Sequence, residues 1–137
     1  MYKIFVYGTL KTNESNNRFL KNAKFLGKDT IKGYSLFDMP YGFPFAIKDD
    51  NGIIEGEVFE VDYNTLQRVD MLEGYIEGYK NNNYERVSVV SQNGHECYLY
   101  IYTSIPECLV IKCGKKWTKE INKKHFKAIR EKYLYFI

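Results

Sequence analysis

The run His95-Glu96-Cys97-Tyr98-Leu99-Tyr100-Ile101-Tyr102 constrains the fold more than any other stretch of the chain. In an extended backbone, alternate side chains point to opposite faces, so Tyr98, Tyr100 and Tyr102 share one face and Cys97, Leu99 and Ile101 the other. Large side chains on both faces call for cover on both, because a strand with one wet face alternates apolar with polar. Patterning predicts further strands near 2–7, 33–39, 53–61 and 85–91, with this one at 96–103, and helices at about 63–73 and 118–134. The class is therefore α+β. With 137 residues, 45% of them hydrophobic, the chain can bury a core without disulfides. It has three prolines and no Gly- or Ser-rich tract, linker or repeat, so residues 1–137 read as a single domain.

A second feature lies near the N-terminus. In Phe5-Val6-Tyr7-Gly8-Thr9-Leu10 a β-branched and aromatic run breaks at a glycine followed by a small hydroxyl residue. Gly8 lets the chain leave strand geometry without a Cβ penalty, so that the next backbone N–H groups can converge on a carboxylate or phosphate. The same break also serves as a plain turn, and the segment by itself does not separate the two.

The reactive group that an anion site needs beside it is offered by Val69-Asp70-Met71-Leu72-Glu73-Gly74-Tyr75. Asp62 can cap the start of a helix, Leu66, Val69 and Leu72 recur at helical spacing, and Gly74 suits the position just past the last turn. Glu73 then stands at the negative end of the helix dipole among bulky neighbours. Desolvation and negative potential both raise a carboxyl pKa, the shift a general base working near neutral pH needs. The competing reading is a surface glutamate at a fraying helix end.

Taken together, these segments and the blocks around them resemble the gamma-glutamylcyclotransferase-like family, in the small branch of gamma-glutamylamine cyclotransferase and AIG2-like proteins. The matching blocks run in order: Val6-Tyr7-Gly8-Thr9-Leu10-Lys11, Gly33-Tyr34-Ser35-Leu36-Phe37-Asp38 with Gly42-Phe43-Pro44, Gly56-Glu57-Val58-Phe59-Glu60-Val61, Leu72-Glu73-Gly74-Tyr75, Tyr84-Glu85-Arg86-Val87 and Tyr100-Ile101-Tyr102. They span Tyr2 to about Trp117. The resemblance implies a small mixed β-barrel flanked by helices.

It also implies a site. Tyr7, Gly8, Thr9 and Leu10 would surround the substrate, with backbone N–H groups holding the α-carboxylate of a gamma-glutamyl group. Glu73 would be the catalytic acid and base: it takes a proton from the substrate α-ammonium, the freed amine attacks the γ-carbonyl, and the carboxyl returns a proton to the departing amine. The products would be 5-oxoproline and a free amine. Neither a metal nor an organic cofactor is called for, since the nucleophile is the substrate's own amine and ring closure is intramolecular.

An oxyanion develops on the γ-carbonyl oxygen, and its stabilisation needs positioned donors. Tyr75, Tyr79 and Tyr84 follow Glu73 closely, and Tyr84, which opens the Tyr-x-Arg-Val block, is the substrate-binding candidate among them. Glu57, on a strand, is the second carboxyl to weigh as a base. Cys97, Cys108 and Cys113 are odd in number and lack metal-ligand pairing, which fits reduced thiols, and His95 and His125 are too far apart in sequence to suggest a zinc cluster. The apolar run before Gly8 is too short for a signal-peptide core, and nothing approaches a membrane span, so the expected setting is cytoplasmic, with a small-molecule gamma-glutamyl substrate as partner and no membrane.

Residues 115–137 hold eight Lys or Arg against two Glu, while the whole chain has a net charge of +3, so the basic character is local. Ile121, His125, Ala128, Ile129, Tyr133 and Phe136 fall on one helical face, which predicts a basic amphipathic helix docked on the barrel. Many small relatives of the resembled family end sooner, after a Gly-x-Trp segment that Cys113-Gly114-Lys115-Lys116-Trp117 exceeds by one residue. Three functions compete: the cyclotransferase, a non-catalytic module binding an amino-acid-like metabolite in the same pocket, and a barrel that binds single-stranded RNA through aromatics and the basic tail. The first leads because a binder has no use for a carboxyl at Glu73 and no RNA motif is present; nucleic acid is not the favoured partner. The leaving amine would lie among loops 13–17, 40–44 and 76–83. Oligomeric state is not encoded legibly.

Overall fold

The computed structural model describes residues 1–79 and 84–134, with side chains to Lys127 in the last helix. Its strands are β1 (Tyr2–Val6), β2 (Lys24–Asp38), β3 (Pro44–Val61), β4 (Glu85–Val90), β5 (Glu96–Ile101) and β6 (Ile111–Lys112), joined in one mixed sheet ordered β4-β5-β1-β3-β2-β6. A 3-10 helix at Asn17–Leu20 follows the loop after β1; α1 (Tyr63–Glu73) follows β3 and α2 (Lys119–Leu134) comes last. β1 runs antiparallel to β3 and parallel to β5, where Ile4 pairs with Tyr98. Tyr102 bridges Ile47, and its N–H donates to Ala46 O at 2.8 Å, so the end of β5 returns onto the start of β3 and the sheet curls into a half-barrel.

The two-faced strand behaves as its alternation predicts. Leu99 and Cys97 pack with Phe5, Leu36, Ile54, Val58 and Trp117 on one side of the sheet. Tyr100 packs with Ile4, Val6, Phe45, Phe59, Leu66 and Val69 on the other, where α1 supplies the cover. The bounds of α1 also follow its sequence: Asp62 accepts the Thr65 N–H at 2.7 Å, satisfying a donor the first turn leaves open, and Gly74 ends the helix in the left-handed conformation at φ 68°.

The predicted strands at 33–39 and 53–61 are the ends of a longer hairpin that also takes in residues 24–32 and 44–52. Register shifts between Phe25 and Gly27 and between Lys32 and Tyr34 break the alternation, and each one-residue slip exchanges the faces of the side chains beyond it. The period-2 signal is therefore scrambled where the backbone is still paired.

The C-terminal segment docks through a buried polar group. Asp38, fully buried at the end of β2, accepts Trp117 Nε1 at 2.7 Å, Asn122 Nδ2 at 2.8 Å and the Met39 N–H at 3.0 Å, while His125 Nδ1 lies 2.8 Å from its other oxygen. In α2 it is Asn122 and Phe126 that are buried, and Ile121 and His125 are only half-buried. The docked face is turned from the predicted stripe because Asp38 draws Asn122 inward. Ala128, Ile129, Tyr133 and Phe136 lie outside the described side chains. Among the described residues, no helix is long and apolar enough to cross a membrane.

Candidate active site

The strand-to-loop break, the end of α1 and the end of β5 meet at one cleft of about 390 Å³. Tyr7, Gly8, Thr9, Leu10, Glu73 and Tyr84 all line it, so the residues singled out in the sequence come together although 77 positions separate the first from the last. Tyr100, Tyr102 and the loop residues Tyr41, Gly42, Phe43 and Pro44 complete much of the wall.

The loop after β1 is held from several sides. Lys11 N–H donates to Gly8 O at 3.1 Å, Asn16 N–H to Thr9 O at 2.8 Å, and Asn16 Nδ2 to Thr9 Oγ1 at 2.9 Å. Lys11 Nζ donates to Trp117 O at 2.5 Å, tying the loop to the C-terminal segment. Among the described residues, none of the loop's internal hydrogen bonds uses the N–H of Gly8, Thr9 or Leu10. The need for glycine at position 8 comes from close approach and not from a left-handed backbone: a Cβ there would stand 3.0 Å from Cδ and Cγ of Pro44.

Glu57 belongs to this scaffold. It is buried on β3, its Oε1 accepts the Thr12 N–H at 2.7 Å, and it does not line the cleft. Its carboxyl anchors the loop where a backbone donor needs an acceptor, which removes it as the alternative base.

Glu73 is the charged residue that lines the cleft among the described residues. Desolvation, with the nearby charge of Asp70 adding to it, pushes its pKa up to about 7, and no described donor offsets either effect. At that value the carboxyl can both accept and return a proton near neutral pH.

The tyrosines around it are committed elsewhere. Tyr7 donates to Tyr100 O at 2.7 Å and accepts the Ala46 N–H at 3.2 Å. Tyr84 donates to Pro44 O at 2.7 Å, and its ring lies 4.5 Å from that of Tyr102. Tyr84 therefore braces the wall loop, and its hydroxyl proton is not free for an oxyanion. Tyr75 packs on Arg86, with the guanidinium 4.8 Å from the ring centroid, and Tyr79 is exposed; neither lines the cleft.

Of the loops expected to hold a leaving amine, Ser15 and Asn16 from the first and Tyr41 to Pro44 from the second line the cleft. Residues 76–79 do not, and 80–83 lie outside the described residues. Tyr100 and Tyr102 line the cleft without a site role in the sequence reading, whereas Tyr41 and Phe43 belong to the 40–44 loop expected to hold the leaving amine. The shared face of the β5 tyrosines was the available signal for Tyr100 and Tyr102. No grouping of three or more His, Cys, Asp or Glu that could hold a metal ion occurs among the described residues.

Known proteins are similar to this chain in sequence and in fold. The family described as Gamma-glutamyl cyclotransferase, AIG2-like, matches residues 4–119. Gamma-L-glutamyl-butirosin B gamma-glutamyl cyclotransferase of Niallia circulans is 35% identical over 106 residues, covering 74% of this chain and 67% of the relative. Among solved structures, protein PH0828 of Pyrococcus horikoshii superposes with a TM-score of 0.69 at 35% identity, covering 93% of this chain and 98% of that one. An AIG2-like protein of Mus musculus gives a TM-score of 0.72 at 26% identity, with 86% and 88% covered. The chain belongs to the AIG2-like gamma-glutamylcyclotransferase family.

Proposed function

We propose that this protein converts a gamma-glutamyl amine or short gamma-glutamyl peptide to 5-oxoproline and the free amine, with Glu73 as acid and base. The observation that carries the reading is the placement of one carboxyl with a pKa of about 7 in the same cleft as a loop whose Gly8, Thr9 and Leu10 N–H groups its own hydrogen bonds leave unused. Those donors hold the substrate α-carboxylate. Glu73 takes a proton from the α-ammonium and the α-nitrogen attacks the γ-carbonyl carbon. The protonated carboxyl then hands its proton to the leaving nitrogen as the amide C–N bond breaks. The second proton that the attacking nitrogen sheds on becoming a lactam N–H follows the same route, and the departing amine leaves as its ammonium. Ring closure brings the nucleophile and the electrophile together without a second molecule, so proton traffic and oxyanion stabilisation are what the protein has to supply.

The leaving amine lies against Tyr41, Phe43 and Leu72, whose side chains stand exposed at the cleft. No cationic side chain lines the cleft among the described residues, so nothing there pairs with a carboxylate on the leaving group. Amines with an apolar body and no carboxylate are the better substrates.

A panel of gamma-glutamyl amines, gamma-glutamyl amino acids and glutathione, assayed for 5-oxoproline release, tests both statements. Release from at least one member, lost in Glu73→Gln, is the expected result. Binding of the panel without release would favour the metabolite-binding module instead, and preference for the carboxylate-bearing compounds would refute the assignment of the leaving-group wall.

A further inference from the structure

One turn before Glu73 lies a partly buried polar cluster that the reaction as described leaves unused. Asp70, one helical turn earlier on α1, presents its two oxygens to different elements. Arg86 of β4 donates from Nη1 to Oδ2 at 2.6 Å, and Tyr100 of β5 donates its hydroxyl to Oδ1 at 2.5 Å. The Arg86 and Asp70 side chains are 8% and 16% exposed, so the pair is held away from most of the solvent that would screen a surface bridge. The guanidinium is sandwiched between Tyr75 and Tyr98, 4.8 and 4.4 Å from the two ring centroids. Tyr100 lines the cleft while its hydroxyl is committed to Asp70.

We propose that Asp70, clamped by Arg86 and Tyr100, is a positioning residue of the reaction: it locks the last turn of α1 against the sheet and fixes the electrostatic field in which Glu73 exchanges its proton. The inference rests on Glu73 being the base. Three elements converge on one carboxyl: α1 brings it, β4 supplies its cation and β5 its neutral donor. The turn that carries Asp70 also carries Glu73, so this clamp sets where the base stands relative to the loop after β1.

The groups facing Glu73 from each packed element narrow the source of the field. Tyr7 follows β1, Tyr84 precedes β4, and Tyr100 and Tyr102 come from β5 and its end; burial raises the pKa of all four, so they stay neutral through the range in which Glu73 titrates. Asp70 is the charge that acts on Glu73, and Arg86 acts through Asp70. Arg86 and Tyr100 therefore regulate how much of the Asp70 charge the base feels.

The test is the pH dependence of kcat/KM for 5-oxoproline release in the wild type, Asp70→Asn, Tyr100→Phe and Glu73→Gln. The last variant judges the underlying reading alone: if it turns over normally, Glu73 is not the base, whatever the others do. In Asp70→Asn the charge is gone at nearly constant shape, and the acid limb moves to lower pH by about half a pH unit or more. In Tyr100→Phe the charge stays but loses a neutralising donor, and the limb moves to higher pH. General loosening of the packing lowers kcat without moving the limb in opposite directions, so limbs that stay put or move the same way overturn the proposal. Carbon-13 titration of the Glu73 carboxyl in the same proteins reads the same displacement where turnover is too slow. If Asp70→Asn fails to fold, the direction in Tyr100→Phe decides.

Discussion

Asp38, at the end of β2, is fully buried and Glu73, at the end of α1, is half-buried at the cleft, and the protein surrounds the two carboxyl groups in opposite ways. Asp38 is met by Trp117, Asn122, His125 and a backbone N–H, a full complement of partners brought from sequence positions as far as 87 residues away. Glu73 is met by tyrosines whose hydroxyls are occupied elsewhere and by the negative charge of Asp70. The first arrangement makes a fixed joint between the sheet and the C-terminal segment. The second leaves a proton-binding site that can change state. Desolvation with the hydrogen-bond partners withheld is what raises the Glu73 carboxyl.

The sharpest way to break this comparison is to turn each acid into its amide. Glu73→Gln should lower kcat for 5-oxoproline release by at least about a hundredfold with a far-UV circular dichroism spectrum like that of the wild type. Asp38→Asn should do the reverse. It removes the charge and puts an amide NH2 in place of the oxygen that faces His125 Nδ1, while one carbonyl oxygen is left for Trp117 Nε1 and Asn122 Nδ2, and unfolding in urea should show a loss of about 1–3 kcal/mol. The fraction that remains folded should turn over within a few-fold of the wild-type rate. Loss of activity without loss of stability in Asp38→Asn would erase the distinction.

The pH dependence of stability sharpens it. A carboxyl whose pKa rises from 4.5 to about 7 on folding favours the folded state fully below the lower value, and that contribution is lost as pH rises through the upper one. Glu73→Gln has no such loss. The stability of the variant relative to wild type should therefore grow between pH 4.5 and pH 8, by an amount on the order of 2 kcal/mol, as followed by thermal melts at successive pH values. A constant difference would mean that Glu73 is solvated like a surface acid.

A smaller effect separates the loop's backbone from its side chains. Gly8→Val forces methyl groups against Pro44 and should raise KM for gamma-glutamyl substrates at least about tenfold, whereas Thr9→Ser should stay within a few-fold. Equal, mild effects would move the carboxylate site elsewhere. The smallest expected effect is that of Lys119, Lys123 and Lys127 replaced together by Gln on the exposed side of α2: no appreciable change in 5-oxoproline release. Salt-sensitive RNA binding that vanished in this triple variant would instead give the basic helix a polyanion partner.

What could be read in advance follows the range over which each signal acts. Asp62, Leu66, Val69 and Gly74 lie within four turns of one another, and they specify α1 and the placement of Glu73 at its end by local chemistry. Tyr7-Gly8-Thr9-Leu10 was legible as a break, but the reason for glycine is Pro44, 36 positions away, which no local rule supplies. The Asp38 joint was invisible because its partners lie 79 to 87 residues further on and because an aspartate at a strand end looks solvated. Residues 24–32 and 44–52, one stretch from each strand of the β2–β3 hairpin, were hidden where the bulges break the alternation. The apolar stripe on α2 was turned from its true face because a polar residue, Asn122, is buried there to serve Asp38.

The hydrogen bond from Lys11 to Trp117 carries a consequence for the order in which the protein is made. The loop that follows β1 emerges early in synthesis, yet the carbonyl that secures its lysine is 106 residues behind it. β1 itself waits for β3 and β5 before it has neighbours on either side. A nascent chain halted before Trp117 therefore holds the loop after β1 and Glu73 without the fastening between that loop and the C-terminal segment. Ribosome-bound chains of increasing length should acquire the ability to release 5-oxoproline only after the tryptophan has cleared the exit tunnel, which makes activity itself a reporter of when this fold closes.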